Sequence, residues 1–239
     1  VVAGGATNDM LAAIDTGNIE PGITTKSLDS CGTVYAFDQQ PPTHPDASVA
    51  GFCSSTGGWL PLICTLNLTT TTSAVRELLS LSLNDFNTLA GQAPIGAEGV
   101  SMLPFLNGER VPALPDATGS IQGLTLTTMT PANICRAALE GTTYGLRYGL
   151  DLLRANGVQS QTIRLVGGGS KSPLWRQLVA DIMNTPVICT EQSEAAALGA
   201  AIQAAWCVSA GKQRLADLCQ RCVRLDPTSE SRPIAENVQ

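Results

Sequence analysis

The spacing of apolar positions changes along the chain, and each change marks an element. Leu11 to Ile14 predicts a short helix, closed by the turn residues Asn18-Ile19-Glu20-Pro21-Gly22. Ser27 to Phe37 reads as a strand interrupted at Gly32-Thr33. Three prolines at positions 41, 42 and 45 make residues 39–46 a loop. Ser48–Cys53 and Trp59–Leu66 fit two short strands around Thr56-Gly57-Gly58. Val75, Leu78, Leu79 and Leu83 form a helical stripe over Thr72–Leu83, resumed at Phe86–Leu89. Gly99–Phe105 is a strand ended by Pro104, and Leu106–Gly123 is a loop long enough to carry function.

The second half alternates helices and strands. Thr130 predicts an N-cap with Pro131 at the first helical position, and Gly157 predicts the stop. Ile134, Ala138, Leu146, Leu150 and Leu153 give that helix one apolar face. Thr162–Val166 is a buried strand, followed by Gly167-Gly168-Gly169-Ser170 and a helix over Pro173–Asn184. Pro186–Cys189 is another strand, and Ser193–Ala210 an Ala-rich helix. This alternation signals an α/β fold.

Composition narrows the class. The chain has 239 residues, 44% of them apolar and 14% charged. That excludes disorder, which needs low hydrophobicity and high charge. No run of about 20 apolar residues is present to span a membrane. A net charge of −6 argues against nucleic acid and anionic membrane as partners. The eight cysteines lie mostly in apolar runs and read as buried, reduced thiols of a cytoplasmic protein. Cys219 and Cys222 form a CxxC without a second pair and with His44 the sole histidine, so no metal site is expected; a helix is. Val1-Val2-Ala3-Gly4-Gly5 reads as a strand end entering a Gly turn, and the absent initiator Met suggests a piece of a longer protein.

Three clusters carry candidate chemistry. A strand, the turn Gly167–Ser170 and a helix N-terminus make a platform for an anion or nucleotide. Position 172 is Ser, so the dinucleotide fingerprint is incomplete, and neither a P-loop nor a nucleophile elbow is present. Gly32-Thr33, after Asp29-Ser30-Cys31, offers one backbone N–H and one hydroxyl to a phosphate if the fold brings it opposite the triple glycine. Asp9 is either a general base beside a Gly turn or, like Asn8, a helix cap. A plain α/β scaffold, with glycines serving only turns, remains the bland alternative.

In order, Gly4-Gly5-Ala6-Thr7-Asn8-Asp9, Asp29-Ser30-Cys31-Gly32-Thr33, Leu103 to Pro112, Ala137 to Gly141, Gly167 to Gln177 and Glu194 to Ala201 resemble the C-terminal half of a carbohydrate kinase of the FGGY family. The resemblance implies an actin-like, ribonuclease-H-like lobe: a central mixed five-stranded sheet flanked by helices. Residues 1–225 would be the nucleotide lobe and 226–239 a polar tail, with the N-terminal sugar-binding lobe absent. ATP and Mg²⁺ would be the cofactors, and a sugar hydroxyl, as of D-xylulose or a similar ketose, the acceptor. Gly167, Gly168, Gly169 and Ser170 would hold the adenosine and α-phosphate, Gly32 and Thr33 the outer phosphates, and Gly58 would border the pocket. Counting back from Gly17, the family's catalytic Asp falls on Asn8, which cannot accept a proton. Either a one-residue shift lets Asp9 serve, or the base is missing and the chain is an inactive nucleotide-binding relative; Asp9 is the reading adopted. Glu109 and Arg110 are expected to pin their loop by an ion pair. A homodimer is left open.

Overall fold

A computed structural model describes residues 4–43, 48–192 and 195–238. The expectations for Val1–Ala3, for His44 to Asp46 in the proline loop, and for Ser193 and Glu194 at the last motif lie outside the described residues.

The chain opens with α1 (Asn8–Asp15), then the antiparallel pair β1 (Gly22–Leu28) and β2 (Gly32–Ala36). The turn falls at Asp29–Cys31, and Gly32-Thr33 starts the second strand rather than interrupting one. A second hairpin, β3 (Ala50–Cys53) and β4 (Trp59–Thr65), pairs onto β2. Then follow α2 (Thr69–Leu78), α3 (Leu83–Gln92), the small ribbon β5 (Ser101–Leu103) with β6 (Ser120–Gln122), and the long α4 (Pro131–Ala155). The remaining elements are β7 (Ser160–Val166), α5 (Pro173–Met183), β8 (Val187–Thr190), α6 (Ala195–Val208), α7 (Leu215–Cys222) and β9 (Leu225–Ser231).

The main sheet has seven strands in the order β3-β4-β2-β1-β7-β8-β9. The expected five-stranded centre is there as β4-β2-β1-β7-β8, with β3 and β9 added at the edges. β1, β7 and β8 are parallel, and the rest pair antiparallel. Residues 226–231, expected in a polar tail, belong to β9. A polar edge strand escapes a search for apolar alternation, and Pro227 is tolerated because an edge leaves one row of N–H groups unpaired. Ser229 is buried and its Oγ accepts from Cys189 N at 2.9 Å.

Period-2 alternation divides the two faces of the sheet. On β2, Val34 and Ala36 join Ile63, Leu146, Leu150 and Leu153 in the core under α4. Tyr35 turns the other way, against Met10, Ala12 and Ala13 of α1. Helix α4 starts and stops as read: Thr130 Oγ1 accepts from Asn133 N, and Asn156 and Gly157 end it. The stripe read over Thr72–Leu83 fails at its far end. Ser80 (φ 53°) breaks the helix, leaving Leu78 77% and Leu83 61% exposed. The cysteines also divide differently: all eight are free, with Cys135, Cys189 and Cys219 buried, but Cys31, Cys53, Cys207 and Cys222 exposed. Cys219-x-x-Cys222 lies on helix α7.

Lys26 on β1 is 0% exposed, and its Nζ donates to Leu146 O (3.2 Å) and to Met183 Sδ (2.9 Å). Burial, with Arg154 nearby, pushes its pKa far below the ordinary 10.5. Stability therefore rises with pH over the window between the lowered folded pKa and the ordinary 10.5. Lys26→Met is expected to stabilise by about 1–3 kcal/mol at pH 7. The gain should vanish near pH 10.5. Melting curves at both pH values check it; a variant that melts below wild type at pH 7 contradicts this account.

Candidate active site

The β1–β2 turn is fastened on three sides. Its carbonyls at Asp29 and Ser30 accept from Thr69 N (3.1 Å) and Leu68 N (3.3 Å), so α2 starts against it. The Asp29 carboxylate takes the Ser27 hydroxyl on Oδ2. Its Oδ1 accepts from Gly168 N at 3.1 Å, which ties the hairpin to the triple-glycine turn. The two motifs read separately in the sequence thus meet through Asp29, the first residue of the hairpin motif.

Gly167 has φ +87°, and a Cβ there would lie 2.7 Å from the Asp29 carboxylate, so no other residue fits without shifting Asp29. Ser170 Oγ donates to Gly167 O at 2.7 Å and closes the turn. Ser172, rather than a helix-opening Gly, caps α5 by accepting from Trp175 N, and its hydroxyl donates to Asn87 Oδ1 at 3.0 Å.

Across from this turn, Thr7 precedes α1 as its N-cap residue, and Asn8 and Asp9 lie in the first turn. Neither is the capping residue, a place that Thr7 takes, and Asp9 is an acid in the first turn. Asn8 is exposed and Asp9 half-buried. Thr33 Oγ1 donates to Asp9 Oδ1 at 3.2 Å. Burial raises the Asp9 pKa above its usual 3.8, the Thr33 bond pulls it back, and the charge of Asp29 adds to the rise. Asp9, Asp29, Thr33, Tyr35, Gly167 and Gly168 share one open cleft of about 670 Å³.

Of the expected site residues, Asp9, Thr33, Gly167 and Gly168 line the cleft. Gly32, Gly169 and Ser170 are beside it but turned inward. A Cβ on Gly32 would lie 2.7 Å from Leu146 Cδ2, and one on Gly169 would lie 2.9 Å from Leu28 Cβ. Their small size therefore serves packing, and the Ser170 hydroxyl is taken by its own turn. Gly58 is elsewhere. It precedes Trp59 at the start of β4, packed on Phe37 and Asp38 O, whereas Gly32 pairs with Thr65 at the other end. Those ends are roughly 20 Å apart along seven residues of strand. Glu109 makes no ion pair with Arg110 among the described residues. Its buried carboxylate accepts from Leu66 N (2.8 Å), Asn67 Nδ2 (3.1 Å) and the Arg110 backbone N (2.7 Å), fastening the long loop to the end of β4.

A mixed sheet with helices on both faces, a glycine turn tied to a hairpin, and a carboxylate at a helix start give an actin-like α/β lobe. Residues 29–208 match the FGGY family of carbohydrate kinases, C-terminal domain. The chain belongs to that family. It is 47% identical over all 239 residues to a xylulose kinase of Haemophilus influenzae, of which it covers 48%. A ligand-bound xylulose kinase from Lactobacillus acidophilus superposes with TM-score 0.91 at 26% identity, over 98% of this chain and 47% of that one. A gluconate kinase from the same organism gives 0.89, also at 26% identity, with 98% and 47% coverage. The chain thus spans about half the length of the relatives it matches.

Proposed function

We propose that this chain, with β9 as part of its sheet, serves as the nucleotide lobe of an ATP-dependent sugar kinase, completed by an N-terminal lobe that forms the other wall of the cleft. The observation that carries this reading is the bond from Gly168 N to Asp29, which ties the glycine turn to the hairpin at the cleft that Asp9 also lines. ATP lies with its adenosine along Gly167 and Gly168 and its outer phosphates toward Thr33. The acceptor hydroxyl oxygen attacks the γ-phosphorus, the bond to the β,γ-bridging oxygen breaks, ADP leaves, and the hydroxyl proton passes to the Asp9 carboxylate.

Mg²⁺ suits the hard carboxylate oxygens of Asp9 and Asp29, and no group of three or more metal-ligating side chains gathers among the described residues. When bound, the ion spreads the phosphoryl charge. The relatives point to D-xylulose as acceptor, although the gluconate kinase has the same lobe architecture, so the choice of sugar is assigned to the other lobe. Eight free thiols suit the reducing cytoplasm. No helix among the described residues is long and apolar enough to cross a membrane. One observation favours a second reading, an inactive nucleotide binder: the family's base position holds Asn8, exposed in the cleft.

Calorimetry on the two-lobed protein tests the nucleotide site. A Cβ on Gly168 meets nothing within 4 Å, so Gly168→Leu is expected to fold normally. It should weaken ATP binding by about tenfold or more, near 1.4 kcal/mol. Absence of any ATP heat in the wild type rejects the proposal. ADP release with D-xylulose, compared with gluconate, then tests the acceptor.

A further inference from the structure

Arg176 stands near the start of α5, behind the glycine turn. Its Nη1 donates to Ser170 O at 2.9 Å, and the Cys189 thiol reaches the same carbonyl at 3.8 Å. Its Nε is buried without a hydrogen-bond partner. No carboxylate pairs with the guanidinium among the described residues. Asp226, which lines the same cavity, accepts instead from Thr228 N and Oγ1, at 2.9 and 2.6 Å. A buried donor left without an acceptor is destabilising, and an apolar side chain at this place would avoid that penalty. Stability alone therefore does not account for an arginine here. What its Nη1 secures is the far end of the glycine turn. Ser170 N and Oγ both return to Gly167 O, at 3.2 and 2.7 Å, so residues 167–170 are closed into one piece. Asp29 holds that piece at Gly168 N, and Arg176 holds it at Ser170 O. Both bonds involve a charged group, which makes them roughly twice as strong as neutral ones. At Gly168 the turn has no packing to steady it, since a Cβ there would meet nothing within 4 Å.

We propose that Arg176 is a positioning residue for the nucleotide. By fixing Ser170 O from behind, it sets how the Gly167–Gly168 backbone is presented to the cleft, and it does so without touching the nucleotide itself. The proposal rests on the reading of this lobe as the ATP site. Arg176 lines a cavity of about 160 Å³ on the far side of the turn, with Cys189, Asp226 and Ser229. It is not among the residues that line the cleft with Asp9. The turn is thus a wall between two spaces, with the ligand expected on one side and the brace on the other. Loss of the brace should loosen ATP and leave the chemistry at the acceptor as it was, because misplacing one wall of a site weakens what that wall binds.

The test is ATP calorimetry and steady-state kinetics on the two-lobed protein, in the wild type, Arg176→Met and Arg176→Lys. Met keeps the unbranched stem and removes every donor. It should raise both Kd and KM for ATP about tenfold, with kcat and KM for the sugar within about twofold of wild type. Lys, with one ammonium to offer Ser170 O, should recover part of the affinity. Arg176→Met loses one bond and one stranded donor together, so its folded yield should match wild type. Should it fold poorly, Arg176→Gln offers a second uncharged side chain for the same titration. An ATP Kd equal to wild type in the Met or Gln variant overturns the proposal. So does a lower kcat at unchanged KM for ATP, which is the mark of a smaller folded fraction. A wild type that binds no ATP defeats the nucleotide reading itself, so the two claims fail by different results.

Discussion

Asp9→Asn in the two-lobed protein is expected to lower kcat by about a thousandfold, within the range of about 10²–10⁴ for loss of a positioned base. ATP binding should persist, because Gly167, Gly168 and the hairpin are untouched. Asn keeps the size of the side chain and can still accept from Thr33, so the fold should hold. The wild-type rate should climb with pH through the Asp9 pKa, which burial places above the usual 3.8. The mutant should lack that limb. Asn8→Ala is the companion variant: with the base at Asp9, it leaves the limb in place. Undiminished turnover in Asp9→Asn sinks the assignment, whereas a wild type without turnover favours the inactive relative. The stability sign runs the other way. A carboxyl whose pKa is raised by folding favours the native state below its unfolded value and loses that contribution as pH rises through the folded one. Removing the charge at pH 7 should therefore not lower the melting temperature.

The largest loss of stability is expected from Gly199→Ala. A Cβ there would lie 1.8 Å from the Leu11 carbonyl oxygen and 2.6 Å from its carbon. Those atoms are backbone of α1, so no side-chain rotation relieves the overlap; the two helices must separate. Overpacking of this kind costs about 3 kcal/mol or more. In a chain of this size that lowers Tm by roughly 6–12 °C. Gly145→Ala is the contrast. It lies in α4 with nothing within 4 Å of its Cβ, and should gain up to about 1 kcal/mol in helix propensity. Equal melting of Gly199→Ala and wild type rejects the close approach of α1 and α6.

Much of this was legible because local chemistry and tertiary demand agree. Thr130-Pro131 and Gly157 bound α4 through capping that needs no partner. The glycines at 167–169 announced a turn that the fold does use at the cleft. What escaped has identifiable causes. β9 is polar because an edge strand with one buried serine needs no apolar face. Leu78 was assigned inward because periodicity does not register the break at Ser80. The family resemblance sets Gly58 beside the phosphate glycines, whereas strand direction separates them by the length of β4. Asp29 escaped notice as a site residue because its role exists only across 139 residues of chain, in one bond to Gly168.

The seam between α1 and α6 also has a mechanical meaning. With the Gly199 face against the Leu11 carbonyl, α1 cannot slide or tilt independently of its neighbour, and Asp9 is mounted at the end of that clamped pair. The carboxylate is thus an anvil rather than a moving jaw. If Asp9 is the base, as proposed, closure of an N-terminal lobe would have to carry the acceptor to it. A different N-terminal half could then bring a different sugar to the same fixed point, leaving the geometry of the phosphoryl-transfer end unchanged.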